Sequence, residues 1–400
     1  MKLAKRKWIK PRHNVIICIL RPVLKLYCIF KYGIKMEKFK EQKGRQYLVL
    51  FNHQTAFDQF FVSCSFAGHI YYIASEDLFS NGWVSSLIRY LVAPIPIRKQ
   101  TTDISAVMNC LRVAKEGGTI GMAPEGNRTF SGKTEYINPA VAPLAKKLKL
   151  PIAFYRIEGG YGVQPRWSDV KRRGKMRSYV SRVVEPDEYK DMTNEQLYEL
   201  IKSELYVNEA NADRCFYHKK RAEYLERCMY VCPKCGLSEF ESRGHKIECK
   251  KCGLKVEYGV DTRLKGVNCD FDFEFVNDWY EHQQRFINKL DLGEYVDKPL
   301  YKDKADLFEV IVYKNKRPLC ENACIELFGD RIVINGEQIF EFDKTLAVTI
   351  LGRNKLNIYY GGKIYQLKSG KRFNAVKYVN IFNRFINVKK GDEGAAFLGL

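Results

Sequence analysis

The chain lacks an apolar run long enough to cross a bilayer as a helix. Its most apolar stretch, residues 14–30, is seventeen residues long and is broken by Arg21, Pro22 and Lys25. A secretory leader is not expected either, because the apolar stretch before Arg21 is short and no small-x-small cleavage site follows it. Acid is scarce: 46 Asp and Glu stand against 67 Lys and Arg, a formal net charge of +21. Histidine is scarcer still, with six in 400 residues, so few positions can supply an imidazole. A disulfide framework is excluded by the cysteines. Their total, thirteen, is odd, four form two Cys-x2-Cys pairs, and most of the others sit singly in apolar runs, which points to a reducing cytoplasm.

The basic charge is unevenly placed. Residues 1–45 hold fourteen Lys and Arg and two acids, Glu37 and Glu41, a net of +12. Such a block suits a polyanion, either nucleic acid or an anionic membrane surface. Here it flanks apolar sequence, with Trp8 and Tyr27 as interface anchors, which fits a helix or helix pair lying in the bilayer surface. The plainer alternative is a basic tail followed by a buried core helix.

Beyond the arm, the apolar run Tyr47-Leu-Val-Leu-Phe51 stops at Asn52-His53-Gln54-Thr55-Ala56-Phe57-Asp58, where a helical pattern of Phe57, Phe60, Phe61 and Cys64 begins. Five residues separate His53 from Asp58, about 140° on an ideal helix, so the two meet only if His53 precedes the first turn and folds back. Asp58 would then fix the tautomer of a general base. Thr55-x-x-Asp58 is equally a capping-box pattern, which gives Asp58 a structural role.

Residues 46–210 alternate between strands and helices: strands at 46–51, 69–74, 119–123, 151–157 and near 178–184, a short extended segment at 93–98, and helices at 55–66, 103–116, 139–149 and 193–206, the last opened by the capping box Thr193-x-x-Gln196. This is an α/β layer with functional loops at strand ends. Three such loops are polar: His53/Asp58, Arg98-Lys99, and Ala123-Pro-Glu-Gly-Asn-Arg-Thr129. An arginine at a strand end suits a phosphate, while a solvated Arg98 and a local Glu125–Arg128 salt bridge are the ordinary alternatives.

Taken together, Asn-His-x4-Asp, a strand ending in Arg98, Pro124-Glu-Gly-Asn-Arg128 and Leu150-Pro151-Ile152 resemble the glycerolipid acyltransferase family, which includes the 1-acylglycerol-3-phosphate acyltransferases, over roughly residues 14–206. The resemblance implies that His53 takes the proton from an acceptor hydroxyl, that Asp58 orients it, that Arg98 holds the acceptor's phosphate, and that Glu125, Gly126, Asn127 and Arg128 shape the acceptor site. Pro151 falls in the last block, near the acyl donor or in the core. Two departures touch the pocket's shape: Ala123 stands where the family usually has Phe, and Ile97 where a polar residue is common. The chemistry needs an activated acyl group and a base, with a thioester on coenzyme A or acyl carrier protein as donor. No Gly-x-Ser-x-Gly elbow offers a nucleophile in this region, and Cys64 and Cys110 read as core. A second basic run, Lys171-Arg172-Arg173-x-Lys175-x-Arg177, is either a solvated loop or a contact for headgroups, coenzyme A phosphates or the carrier protein.

Cys232-x2-Cys235 and Cys249-x2-Cys252 supply four thiolates for a tetrahedral structural zinc, with iron as the lesser alternative and no open position for catalysis. Cys228 and His245 are surplus neighbours. An amphipathic helix is expected over 275–290, then seven short strands from about 306, with Asn335-Gly336 and Gly361-Gly362 as hairpin turns, and a helix at 373–386. That order resembles the pleckstrin-homology-like fold, leaving lipid-headgroup binding and scaffolding both open.

The expected plan is a membrane-interfacial arm over 1–45, an α/β acyltransferase domain over 46–210, a helical linker and zinc ribbon over 211–260, a linker helix over 261–304, and a β-rich domain closed by a helix over 305–390. The expected activity is acyl transfer to the hydroxyl of lysophosphatidate, giving phosphatidate, at the cytoplasmic face of the membrane as a peripheral or monotopic protein. Another acceptor, such as glycerol 3-phosphate or a different lysolipid, is the nearest alternative. A nucleic-acid-binding ribbon protein is disfavoured because the excess charge sits beside interface-seeking sequence rather than among base-stacking aromatics. An inactive lipid-binding adaptor is disfavoured by the intact polar set.

Overall fold

The strand Leu48–Phe51 (β2) is buried at every residue, as expected for a strand covered on both faces of a parallel sheet. It lies in the middle of a seven-stranded sheet whose other members are Ile34–Met36 (β1), Ile70–Ser75 (β3), Ile95–Ile97 (β4), Thr119–Met122 (β5), Ile152–Glu158 (β6) and Met176–Val184 (β7). The order is β1-β7-β6-β2-β5-β3-β4, and every pairing is parallel except β6–β7. The computed structural model describes residues 7–42, 44–97, 103–211, 213–311, 315–392, 394 and 397.

Helices cover both faces: Pro11–Tyr32 (α1), Asp58–Ser65 (α2), Trp83–Val92 (α3), Ile104–Lys115 (α4), Val141–Leu148 (α5), the single turns Gly160–Val163 (α6) and Pro186–Tyr189 (α7), and Asn194–Leu205 (α8). The α8 capping box forms as expected: Gln196 N–H donates to Thr193 Oγ1 at 3.1 Å, and Thr193 N–H donates to Gln196 Oε1 at 2.8 Å.

The N-terminal segment differs from its expectation. It forms one helix, the first of the two forms expected, but it is not a separate arm. β1 joins the sheet beside β7, and Arg21 crosses to the carbonyls at the end of α2, with Nε on Ser63 O at 3.0 Å and Nη2 on Ala67 O at 2.6 Å. That contact explains a charge inside an apolar stretch. Trp8 is no interface anchor: its indole N–H donates to Ala93 O at 3.0 Å and its ring packs on the domain core.

The helical linker expected after residue 210 is also not formed, because the described part of 211–230 contains turns and a single 3-10 turn, Leu225–Arg227. A ribbon follows, with strands Val231–Cys232 (β8), Gly236–Leu237 (β9), Phe240–Arg243 (β10), Lys246–Cys249 (β11), Lys255–Tyr258 (β12) and Leu264–Gly266 (β13), and then the helix Val276–Asn288 (α9). The C-terminal domain is an antiparallel sheet of Tyr301–Val310 (β14), Arg317–Leu327 (β15), Arg331–Ile334 (β16), Gln338–Glu341 (β17), Thr345–Leu351 (β18), Lys355–Tyr360 (β19) and Lys363–Ser369 (β20), ordered β17-β16-β15-β14-β20-β19-β18 and packed on the helix Val376–Lys389 (α10). Both expected hairpin turns form, with positive φ at each residue of Asn335-Gly336 (52° and 72°) and Gly361-Gly362 (56° and 74°). One hydrophobic core runs from Phe130, Tyr161 and Trp167 through Val231, Val256 and Trp279 to Ile325, Ile358 and Val379, so ribbon, α9 and C-terminal sheet are packed as one body with the first domain.

Candidate active site and metal centre

β2 and β5 are parallel neighbours in which Leu50 pairs with Met122. Three residues beyond each partner, the chain reaches His53 and Glu125, so the first and third polar loops emerge side by side. Asn52 ties the β2 end to β6: its Nδ2 donates to Ile157 O and its Oδ1 accepts from Ile157 N, both at 2.8 Å. The turn that follows wraps around a carboxylate. Asp58 has no exposed surface and accepts the Gln54 N–H at 2.7 Å, the Thr55 N–H at 2.9 Å and the Thr55 hydroxyl at 2.7 Å. His53 Nδ1 lies 2.8 Å from Asp58 Oδ2. Because a carboxylate can only accept here, Nδ1 carries the proton and Nε2 is the basic nitrogen. The His53 side chain keeps 24% of its surface exposed, so the ring remains reachable.

The capping box at Thr55 does not form. α2 begins at Asp58 itself, and the Thr55 hydroxyl accepts from Phe57 N–H at 3.0 Å while donating to Asp58. Residues 53–57 are therefore outside the helix, as the meeting of His53 with Asp58 requires.

Glu125 plays a role that its spacing did not indicate. Its Oε1 accepts the backbone N–H of His53 at 2.7 Å, so it anchors the loop that carries His53. Burial raises its carboxyl to about 8, although the His53 N–H opposes the shift, and the group holds a proton at neutral pH. Gly126 turns the loop at φ 71°, with its N–H on Ala123 O at 3.0 Å. Asn127 is half-buried on the same turn. The alternative Glu125–Arg128 salt bridge is not formed among the described residues. Arg128 is lowered to about 10 by burial and then by Arg353, and its Nη1 has no hydrogen-bond partner. Arg98 lies outside the described residues, directly after β4. Pro151 belongs to the core, where its carbonyl accepts Leu48 N–H at 2.9 Å.

Cys64 and Cys110 are buried as expected, and burial pushes both thiols up, Cys110 to about 12, which disfavours the reactive thiolate. The run 171–177 is not a single patch. Arg172 is buried with its guanidinium 4.9 Å from the Trp167 ring and 4.7 Å from that of Tyr258, Arg177 pairs with Glu37 at 2.8 Å, and Lys171 lies 4.3 Å above the Tyr32 ring. Tyr32 in turn packs on Phe57 at 5.4 Å. Lys171 is lowered to about 8 by burial and by Lys31 and Arg353. Neither Tyr32, on the expected arm, nor Arg166, buried between domains, carried any signal in its local sequence.

The four cysteines of the two knuckles converge, with all Sγ atoms within 4.8 Å of one another and the Cys232–Cys252 and Cys235–Cys249 pairs at 3.6 Å. A tetrahedral ion with metal–sulfur bonds near 2.3 Å needs sulfurs about 3.8 Å apart, so the set fits a four-thiolate metal centre. Cys228 is elsewhere, buried against Phe130 O.

Residues 34–157 match the protein-family model described as Acyltransferase, a span that contains His53, Asp58, Glu125 and Arg128. Among curated proteins, the chain is 23% identical over 111 residues to a 1-acyl-sn-glycerol-3-phosphate acyltransferase of Bacillus subtilis (strain 168), covering 28% of this chain and 52% of that protein. The chain thus spans about half the length of this curated relative. Among solved structures, it is similar at 22% identity and a TM-score of 0.42 to the 1-acyl-sn-glycerophosphate acyltransferase PlsC of Thermotoga maritima, covering 48% of this chain and 78% of that one.

Proposed function

We propose that the acyltransferase domain matched over residues 34–157 makes this chain an enzyme of the 1-acylglycerol-3-phosphate acyltransferase type, moving an acyl group from a thioester to the free hydroxyl of lysophosphatidate and yielding phosphatidate. The observation that carries the reading is the His53–Asp58 pair at 2.8 Å, with the half-buried Arg128, whose Nη1 has no hydrogen-bond partner, on the neighbouring loop. His53 Nε2 removes the acceptor's hydroxyl proton as its oxygen attacks the thioester carbonyl, and the proton leaves with the thiol. Asp58 holds the imidazole in the tautomer this needs and stabilises the imidazolium that forms. Glu125 fixes the backbone beneath the ring. Arg128 binds the acceptor's phosphate, a role that the family resemblance also assigns to Arg98. The donor is acyl-coenzyme A or acyl carrier protein.

The four-cysteine centre holds zinc in a structural role, since four protein ligands leave no open position. The protein works on the cytoplasmic face of an anionic membrane, to which α1 and α3 present apolar faces, and no described helix is long and apolar enough to cross a membrane. The seven-stranded domain with its closing helix is read as pleckstrin-homology-like.

The test incubates purified protein and labelled lysophosphatidate, or glycerol 3-phosphate in a parallel arm, with acyl-coenzyme A or acyl carrier protein. Wild type should form phosphatidate, and His53→Ala should lower kcat by about 10²–10⁴-fold. Absence of transfer to every lysolipid, together with tight salt-sensitive binding of RNA or DNA, sinks the proposal.

A further inference from the structure

The β18–β19 hairpin of the C-terminal domain reaches the acyltransferase site through one buried side chain. Arg166 donates from Nη1 to Arg128 O at 2.7 Å, from Nε to Gly352 O at 2.8 Å and from Nη2 to Ile350 O at 2.8 Å. A single guanidinium therefore holds the backbone of Arg128 against the residue that precedes Arg353. The Arg353 side chain pairs with Asp169 at 3.1 Å, but Asp169 is already engaged by Arg227 through two bonds of 2.9 and 3.0 Å. Arg353 Nε and Arg128 Nη1 are buried with no hydrogen-bond partner. Lys171 sits over Tyr32, and Tyr32 packs on Phe57, the residue before Asp58.

We propose that Arg353 completes the phosphate-binding wall of the acceptor site with Arg128 and Lys171, so that the C-terminal domain takes part in recognising the acceptor. The inference rests on the acceptor reading given above. Arg227 and Arg353 share Asp169, Arg166 links the Arg128 and Gly352 backbones, and Lys171 lies over Tyr32, while the buried Glu125 and Glu135 are both raised, to about 8 and about 7. The cluster therefore carries more cations than carboxylates to balance them. Gathering like charges in a partly desolvated place is costly unless an anion enters. Arg128 and Lys171 are both lowered by burial and by Arg353, the direction expected of cations that wait for a counterion.

A phosphate monoester satisfies the unused N–H groups in the fork geometry that arginine favours. Two sources carry one, the acceptor and a coenzyme A donor. Placement favours the acceptor. In lysophosphatidate the phosphate hangs on the carbon next to the hydroxyl-bearing carbon, so its site must lie close to the base, whereas the donor's phosphates sit at the far end of the pantetheine arm.

The experiment measures dissociation constants by titration calorimetry on the full chain, using hexanoyl-lysophosphatidate, hexanoylglycerol and coenzyme A as probes. Arg353→Gln should weaken hexanoyl-lysophosphatidate at least tenfold and leave the other two within twofold, Arg353→Lys should recover most of the loss, and Lys363→Gln, on the opposite hairpin, should match wild type. Unaltered lysophosphatidate binding by Arg353→Gln overturns the proposal, as does equal weakening of all three probes, or weakening confined to coenzyme A. If wild type binds no lysophosphatidate, the acceptor reading falls and takes this inference with it; if wild type binds and Arg353→Gln binds equally well, this inference alone falls.

Discussion

His53 and Glu125 meet because they stand at equal distances beyond Leu50 and Met122, which are partners in the β2–β5 register. This makes Glu125 a positioning residue for His53, and its protonation has a consequence for stability. Its folded pKa of about 8 is above that of an unfolded glutamate, so the stability it contributes is fully present below the unfolded value near 4.3 and is lost as pH rises through about 8. The isosteric Glu125→Gln keeps an oxygen for the His53 N–H and cannot ionise. Between pH 5.5 and pH 8, wild type should lose on the order of 3 kcal/mol relative to this variant. Urea denaturation at the two pH values checks it, and a difference that does not change with pH contradicts the assignment. At this scale the sequence was readable where chemistry and local spacing coincide. His53 and Asp58 are five positions apart at a strand–helix junction, so their meeting could be anticipated. Arg166 and Gly352 are 186 positions apart, and no local pattern reports a contact of that kind.

Among the elements, α1 and α3 carry the largest exposed apolar surfaces. Val15, Ile19, Val23, Leu26 and Phe30 recur at three- and four-residue spacing along one face of α1, and Trp83, Val84, Leu87 and Tyr90 do so on α3, which packs against it. Lys25, Lys31 and Arg89 are exposed on the same two helices. An amphipathic pair with cationic flanks has the make-up of an interfacial element. Sequence periodicity made α1 visible but hid its opposite face, where His13, Ile17, Cys28 and Tyr32 are buried against the domain. α3 was missed altogether, since an apolar face turned to the outside reads like a core helix or a loop with chance hydrophobics. Because α1 and β1 are built into the domain, the informative variants are substitutions rather than truncations. Each large apolar side chain that enters the interface contributes about 1.5–3 kcal/mol, so Val23→Glu combined with Phe30→Glu should lower binding to anionic phospholipid vesicles by about 100-fold or more in a sedimentation assay, with the thermal midpoint nearly unchanged. Undiminished binding would mean that the surface serves something other than a bilayer.

At the scale of the molecule, the modules were legible one by one and their fusion was not. Cysteine spacing marked the ribbon, turn residues marked the C-terminal hairpins, and alternating strands and helices marked the first domain. The contacts between them depend on single long side chains. Trp279 Nε1–H donates to Val231 O at 2.9 Å, Gln283 Oε1 accepts Tyr230 N–H at 2.8 Å and Val231 N–H at 3.1 Å, and the Tyr301 hydroxyl donates to Tyr230 O at 3.2 Å, all at or beside the strand that bears Cys232. Cys232 and Cys249 are themselves only 1% exposed and belong to the core that reaches Trp167 and α10. Metal binding by such a ribbon is coupled to its folding, so losing the ion should loosen the core shared by the modules rather than one small loop. Arg227, which shares Asp169 with Arg353, lies just before that strand, so the same loosening should reach Arg353. Wild-type protein should carry close to one zinc per chain, and a strong chelator should lower its thermal midpoint by roughly 10 °C, given that structural zinc contributes several kcal/mol and each kcal/mol shifts a domain of this size by about 2–4 °C. Cys252→Ser should reproduce both the metal loss and the lower midpoint, whereas retention of one zinc per chain in Cys232→Ser, or an unchanged midpoint after the metal is stripped, would remove the ribbon from its place in the common core.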